Sequence, residues 1–170
     1  MLRRPRVRPL RDRLRHGLVL VAVLPLVALA ACHQEFGTAP HGGPAVGNGQ
    51  AVATDIRSAI HPGFDRVVFD FAGPVPAYFV EYVAANQLRN TAGDVVPVSG
   101  SHFLQVRFTG TDAMSDAPFV RTPNFDGVRQ VKRVDNFEGV LVYGVGVREH
   151  SPFRVFALTG PSRVVLDIDR

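Results

Sequence analysis

The sequence predicts an all-β fold, an antiparallel β-sandwich behind an export segment and a flexible linker. Three observations carry that reading. From about Ala51 onward apolar residues recur with a period of two rather than 3.6. Turn residues interrupt the pattern at short intervals. Beyond the apolar run at residues 17–31, no stretch sustains an amphipathic helical pattern over three turns. Many short strands at near-regular spacing favour an antiparallel sandwich over a parallel α/β sheet.

The clearest strands are His102 to Phe108 and Arg163 to Asp169. In the first, His102, Leu104, Val106 and Phe108 share one face, opposite Phe103, Gln105 and Arg107. In the second, Val164, Leu166 and Ile168 oppose Arg163, Val165, Asp167 and Asp169. Further strands are expected at Val52 to Arg57, Arg66 to Phe71, Ala77 to Val83, Val95 to Val98, Val128 to Val134, Gly139 to Arg148 and Phe153 to Leu158. Turn signals separate them at His61-Pro62-Gly63, Ala72-Gly73-Pro74, Ala92-Gly93-Asp94, Ser99-Gly100 and Thr159-Gly160-Pro161. The segment from Thr109 to Asp126 has no strong period and reads as a long loop, a class of segment that often carries function.

Ahead of the folded part, residues 1–16 are rich in arginine and residues 17–31 are apolar apart from glycine and Pro25, the pattern of a signal peptide. About 15 apolar residues fall short of the roughly 20 needed to span a bilayer, which makes a permanent transmembrane anchor the weaker reading. The run ends Leu29-Ala30-Ala31-Cys32, which resembles the bacterial lipobox. That resemblance implies cleavage before Cys32 and fatty acyl chains, palmitate among them, on that residue. Two or three chains, at about 0.8 kcal/mol per buried methylene, anchor a protein stably where one does so only marginally. The alternative is an ordinary secretory cut at Ala28-Leu29-Ala30 that releases a soluble protein with a free thiol. Residues 32–50 carry Gly, Pro and small polar residues and read as the lipidated cysteine and a flexible tether, leaving residues 51–170 as the folded domain.

The formal charge of +4 suggests nucleic acid until its location is considered. Seven of the 19 Lys and Arg residues precede residue 17, against the single acid Asp12, which leaves 12 bases against 14 acids beyond residue 32. The mature part is therefore mildly acidic and lacks the basic patch that phosphate-backbone binding needs. The single cysteine excludes an internal disulfide and a cysteine-cluster metal site.

One short run occurs twice. Arg66-Val67-Val68-Phe69-Asp70-Phe71 returns as Arg163-Val164-Val165-Leu166-Asp167-Ile168, and in a strand each copy places its Arg and Asp on one side. The bland explanation is a set of solvated cross-strand charge partners. These runs also carry a family resemblance. DRVVFDF, GPVPAYFVEYV, NFEGVLVYGVGV and PFRVFALTGPSRVVLDID closely resemble the AMIN-like domain of actinobacterial envelope lipoproteins. They are more distantly similar to the AMIN domain that precedes peptidoglycan amidases and occurs in secretin components. The resemblance spans about residues 52–170 and implies a non-catalytic β-sandwich that binds or targets its protein to the cell wall.

No nucleophile elbow, zinc-protease motif or glycine-rich phosphate loop is present, and no pattern calls for a cofactor. Asp70 and Glu81, expected on neighbouring strands, are the nearest candidates for paired glycosidase-like carboxylates, although acids on sheet faces are usually solvated. His61, His102 and His150 lack ligand spacing for a metal, and His33 and His41 in the linker lack a third ligand. For binding, Tyr78 and Tyr82 share a strand face and Tyr143 lies on another strand; an exposed tyrosine pair would suit sugar rings, whereas the bland reading is partly buried sheet aromatics. Arg66 and Arg163 would grip carboxylates or phosphates of wall polymers through their planar guanidinium groups. The expected function is a lipid-anchored envelope module that binds peptidoglycan, a wall glycan or an envelope partner protein. A small envelope hydrolase and a structural or assembly lipoprotein without a small ligand are the alternatives. For the anchor, Cys32→Ala abolishes the lipid mass and the membrane retention measured by mass spectrometry of the membrane fraction; unchanged retention refutes it.

Overall fold

The computed structural model describes residues 35–112 and 117–170. The export segment, residues 1–31, and the attachment point Cys32 lie outside the described residues, as do residues 113–116 of the Thr109 to Asp126 segment. Ten strands follow in chain order: β1 His41–Gly43, β2 Val52–His61, β3 Phe64–Ala72, β4 Ala77–Val83, β5 His102–Thr109, β6 Val120–Arg121, β7 Val128–Phe137, β8 Val140–Val147, β9 Phe153–Thr159 and β10 Ser162–Asp169. They form a six-stranded sheet in the order β1-β4-β5-β8-β7-β6 and a four-stranded sheet in the order β2-β3-β10-β9. Every strand pairing is antiparallel. The fold is an all-β sandwich, as the period-two pattern predicts.

Alternation decides which side of each strand is buried. Leu104, Val106 and Phe108 of β5 and Val164, Leu166 and Ile168 of β10 are all fully buried, whereas His102, at the start of its strand, is exposed. The two sheets meet through aromatic rings. Phe69 of β3 lies 5.1 Å from Phe108 and 5.3 Å from Tyr143 of β8, and Phe71 lies 5.0 Å from Phe108. Burying a side chain of this size contributes about 1.5–3 kcal/mol, and such ring pairs add about 0.5–1.5 kcal/mol. Tyr143 is thus a core residue rather than a surface aromatic. At one end of the sandwich the buried Asp65 ties the sheets together. Its Oδ2 accepts from the backbone N–H of Gly127 at 2.7 Å and of Val128 at 3.1 Å, and Arg170 faces its Oδ1 at 3.3 Å.

Three segments depart from the sequence pattern. Val95 to Val98 is not a strand: only an isolated bridge joins Arg89 to Val95, and Pro97 has no N–H to offer a ladder. Its alternating valines serve another purpose. Val96 and Val98, with Leu88, pack on Val134 and Val142 and cover the outer face of the six-stranded sheet. The polar anchors of this cover are Lys132 donating to the Pro97 carbonyl at 3.0 Å and the Gln130 side chain accepting from the Ser99 N–H at 3.0 Å.

The Thr109 to Asp126 segment contains the two-residue strand β6, which pairs with Val131 and Lys132 of β7. The third departure is the expected flexible linker. Gly37 pairs with Phe153, Val46 pairs with Val75, and β1 extends the six-stranded sheet along β4. Backbone pairing needs no apolar side chains, so a Gly-Pro composition does not preclude it. The glycines here are a packing requirement, because a Cβ at Gly42 would collide with the Tyr78 carbonyl and one at Gly43 with the Tyr78 ring. Gly42→Val is therefore expected to detach this segment: limited proteolysis cuts the variant between residues 37 and 50 while the wild type resists, and equal resistance in both refutes the packing account.

Candidate functional site

The outer face of the four-stranded sheet is built by cross-strand register into rows. One row sets Arg57, Val68, Val165 and Phe156 side by side across β2, β3, β10 and β9. The next sets Ala59, Arg66, Asp167 and Arg154 together, and the row on the other side sets Asp55, Asp70, Arg163 and Leu158. Arg66 and Arg154 beside Asp167, and Arg163 beside Asp70, set opposite charges directly across the ladder, which favours this register, whereas Asp55 opposite Asp70 is a like-charged pair relieved by Arg57 and Arg121. A groove of about 640 Å³ runs over these rows, with four arginines, Arg57, Arg66, Arg121 and Arg163, along it and the apolar Val68 and Val165 among its lining. The two valines are buried although they face outward, flanked by long arginine side chains whose stems shield apolar surface.

Three of the four arginines are held by protein acceptors. Arg66 donates from Nε to Asp167 Oδ1 at 2.6 Å and from Nη2 to Oδ2 at 2.9 Å. Arg154, from β9, adds a third bond to the same carboxylate at 2.9 Å. Arg57 holds Asp70 through Nε at 2.6 Å and Nη2 at 2.7 Å. Arg121, carried in by β6, donates from Nε to the Ile56 carbonyl and from Nη2 to Asp55, both at 3.0 Å. The hydrogen bonds to Asp167 and Asp70 raise the Arg66 and Arg57 guanidinium groups above their ordinary range, and the bond from Arg121 lowers the Asp55 carboxyl. Asp167 is fully buried, which only a carboxylate with this much charge and hydrogen bonding around it tolerates. Arg163 differs from the other three: its Nε is buried and has no hydrogen-bond partner.

The residues singled out from the sequence separate into different places. Arg66 and Arg163 do share the groove, with Arg66 committed to Asp167. Tyr78 and Tyr82 share a face of β4, but they turn inward and pack against the core of the other sheet, so they form no exposed pair beside the arginines. The Tyr78 hydroxyl is bonded to the Ala157 backbone, and the Tyr82 hydroxyl donates to the Ser151 carbonyl at 2.7 Å. Tyr82 also stacks on His150 at 3.9 Å, with His102 a further 5.8 Å from His150.

Asp70 and Glu81 do not lie on neighbouring strands. Their strands, β3 and β4, belong to different sheets because the chain crosses over between them. Asp70 is moreover occupied by Arg57. His61 stacks on Phe64 at 4.8 Å, in the sheet opposite to β5. No group of three potential metal ligands converges among the described residues. Sequence reasoning missed Arg57 and Arg121 because their partners, 13 and 66 positions away, are set by strand pairing rather than by local spacing.

Burial pushes the Tyr82 hydroxyl up to about 12. An unfolded tyrosine titrates near 10, so between about pH 10 and 12 the unfolded chain loses this proton first. The stabilising contribution is complete below about pH 10 and disappears as the pH rises through about 12. Tyr82→Phe accordingly shows a smaller fall in its urea midpoint between about pH 9 and 11 than the wild type; parallel falls refute the burial account.

A family model described as the AMIN-like domain matches residues 51–170. No curated protein and no solved structure matches the chain. The match takes in both copies of the repeated run, the four arginines of the groove and all strands from β2 to β10. On that extent of agreement, the chain belongs to the AMIN-like domain family.

Proposed function

We propose that this chain is a lipid-anchored binding and targeting module of the cell envelope, attached through Cys32, whose sandwich docks on peptidoglycan, on a wall glycan or on an envelope partner protein. The observation that carries the reading is the groove on the four-stranded sheet, an open surface of about 640 Å³ that joins guanidinium groups to apolar patches. Binding sites need such a mixture: apolar area supplies contact, and a few polar groups fix orientation. The outer face of the six-stranded sheet is covered by residues Leu88, Val96 and Val98 and offers less.

Membership of the AMIN-like family supports the same conclusion, since domains of this kind occur in envelope proteins and are generally binding rather than catalytic. Among the described residues no helix is long and apolar enough to cross a membrane; the attachment proposed here is the one that the sequence implies at Cys32. A hydrolase finds little support in the groove, where the acids meet arginines at hydrogen-bonding distance.

The test is co-sedimentation. A protein comprising residues 33–170 is expected to sediment with purified peptidoglycan several-fold above an unrelated β domain of similar charge. Sedimentation no higher than that control removes the glycan reading. Turnover of the wall polymer that Asp70→Asn abolishes replaces the binding module with the enzyme.

A further inference from the structure

Resting on the reading of the chain as an envelope-binding module, we propose that Arg163 is the oxyanion-binding residue of the groove and takes a carboxylate or phosphodiester group of the ligand. The repeated run supplies the argument. Its two copies lie antiparallel and adjacent, which places Arg66 opposite Asp167 and Arg163 opposite Asp70. Two equivalent ion pairs are expected from that symmetry, and one forms, between Arg66 and Asp167.

The second does not form, because each copy has a different neighbour on its outer side. The strand beyond β3 is β2, whose Arg57 engages both oxygens of Asp70. The strand beyond β10 is β9, which sets the apolar Leu158 opposite Arg163 and so offers it no acceptor. Arg163 is left with a guanidinium group that forms no ion pair with any described residue and whose Nε–H is shut off from water without a partner. Of the four guanidinium groups along the groove it is therefore the one left to take an acceptor from outside the chain.

The chemistry of the missing acceptor follows from its surroundings. Arg57, Arg66 and Arg121 are hydrogen-bonded to Asp70, Asp167 and Asp55, so Arg163 is the one guanidinium group lining the groove that has no acidic partner among the described residues. A planar guanidinium pairs best with a two-oxygen anion such as a carboxylate or a phosphodiester. Apolar Val165 and Leu158 beside it lower the competition from water and accommodate a ligand with one charged group on an otherwise uncharged frame. Muropeptide carboxylates and the phosphodiesters of wall polymers are two sources of the same chemistry.

The full chain, purified in detergent, is titrated with N-acetylmuramyl dipeptide as the carboxylate probe and a glycerol phosphate trimer as the phosphodiester probe, each beside an uncharged amidated or methylated analogue. Affinity is read by calorimetry, and the Arg163 Nε–H signal by NMR. One charged probe is expected to move that signal and to bind at least tenfold more tightly than its neutral analogue; which probe does so identifies the source. Arg163→Gln is expected to erase the preference. No preference for charge with either probe, or an unchanged affinity in Arg163→Gln, overturns the proposal. The neutral analogues and the Arg163 Nε–H signal decide the matter even where Arg163→Gln fails to fold. Peptidoglycan sedimentation that persists undiminished in Arg163→Gln removes the oxyanion site and leaves the module reading standing. Charged-probe binding without sedimentation does the reverse.

Discussion

Asp167 is buried among Arg66, Arg154 and the ladder of β10, and the register of the four-stranded sheet turns on that carboxylate. A one-residue slip of β10 against β3 would turn Asp167 toward the core and Leu166 toward solvent, since side chains alternate with a period of two. The buried charge would then lose both guanidinium partners, a loss of about 3–5 kcal/mol for even one partner of such a pair. Ion pairing on the outer face and the aliphatic stripe on the inner face thus specify the same register. The positions of Arg57, Asp70 and Arg163 follow from it, and so does the groove.

The two outer faces of the sandwich have different fates for a physical reason. Gly144 and Gly146 leave the middle of β8 without side chains, and the segment carrying Leu88, Val96 and Val98 drops into that space. A Cβ at Gly146 would collide with the Ser99 carbonyl, so the close approach depends on glycine. The four-stranded sheet has no such gap. Its outer rows carry arginines, whose charged ends remain near water while their stems shield Val68 and Val165, and a groove is left on that face. Charge pairing within it lowers the net potential of the groove, so the binding proposed there rests more on the geometry of a few guanidinium groups than on long-range attraction.

Much of the fold is legible along the chain because a strand's alternation is local. His102 to Phe108 and Arg163 to Asp169 display in seven residues each which side faces the core, and Ala77 to Val83 matches β4 at both ends. Where local pattern and tertiary role diverge, the reading fails. Val95 to Val98 alternates like a strand but covers a sheet, and the Gly42-Gly43 pair resembles a tether but edges β4. In the first case Pro97 offers no ladder donor, and in the second only glycine admits the close approach to Tyr78; which neighbour each segment meets is set by the tertiary arrangement.

The sequence by itself determined the all-β class, the faces of the main strands, the family resemblance, and the candidacy of Arg66 and Arg163, because each of these is written in residue type and short spacing. Only the tertiary structure decided that Tyr78 and Tyr82 turn inward, that Asp70 and Glu81 belong to different sheets, and that Arg66 is spoken for while Arg163 is not. These depend on which strands become neighbours. Arg66 meets Asp167 across 101 positions of chain, and pairing over that separation is settled by the packing of whole sheets, not by any local pattern.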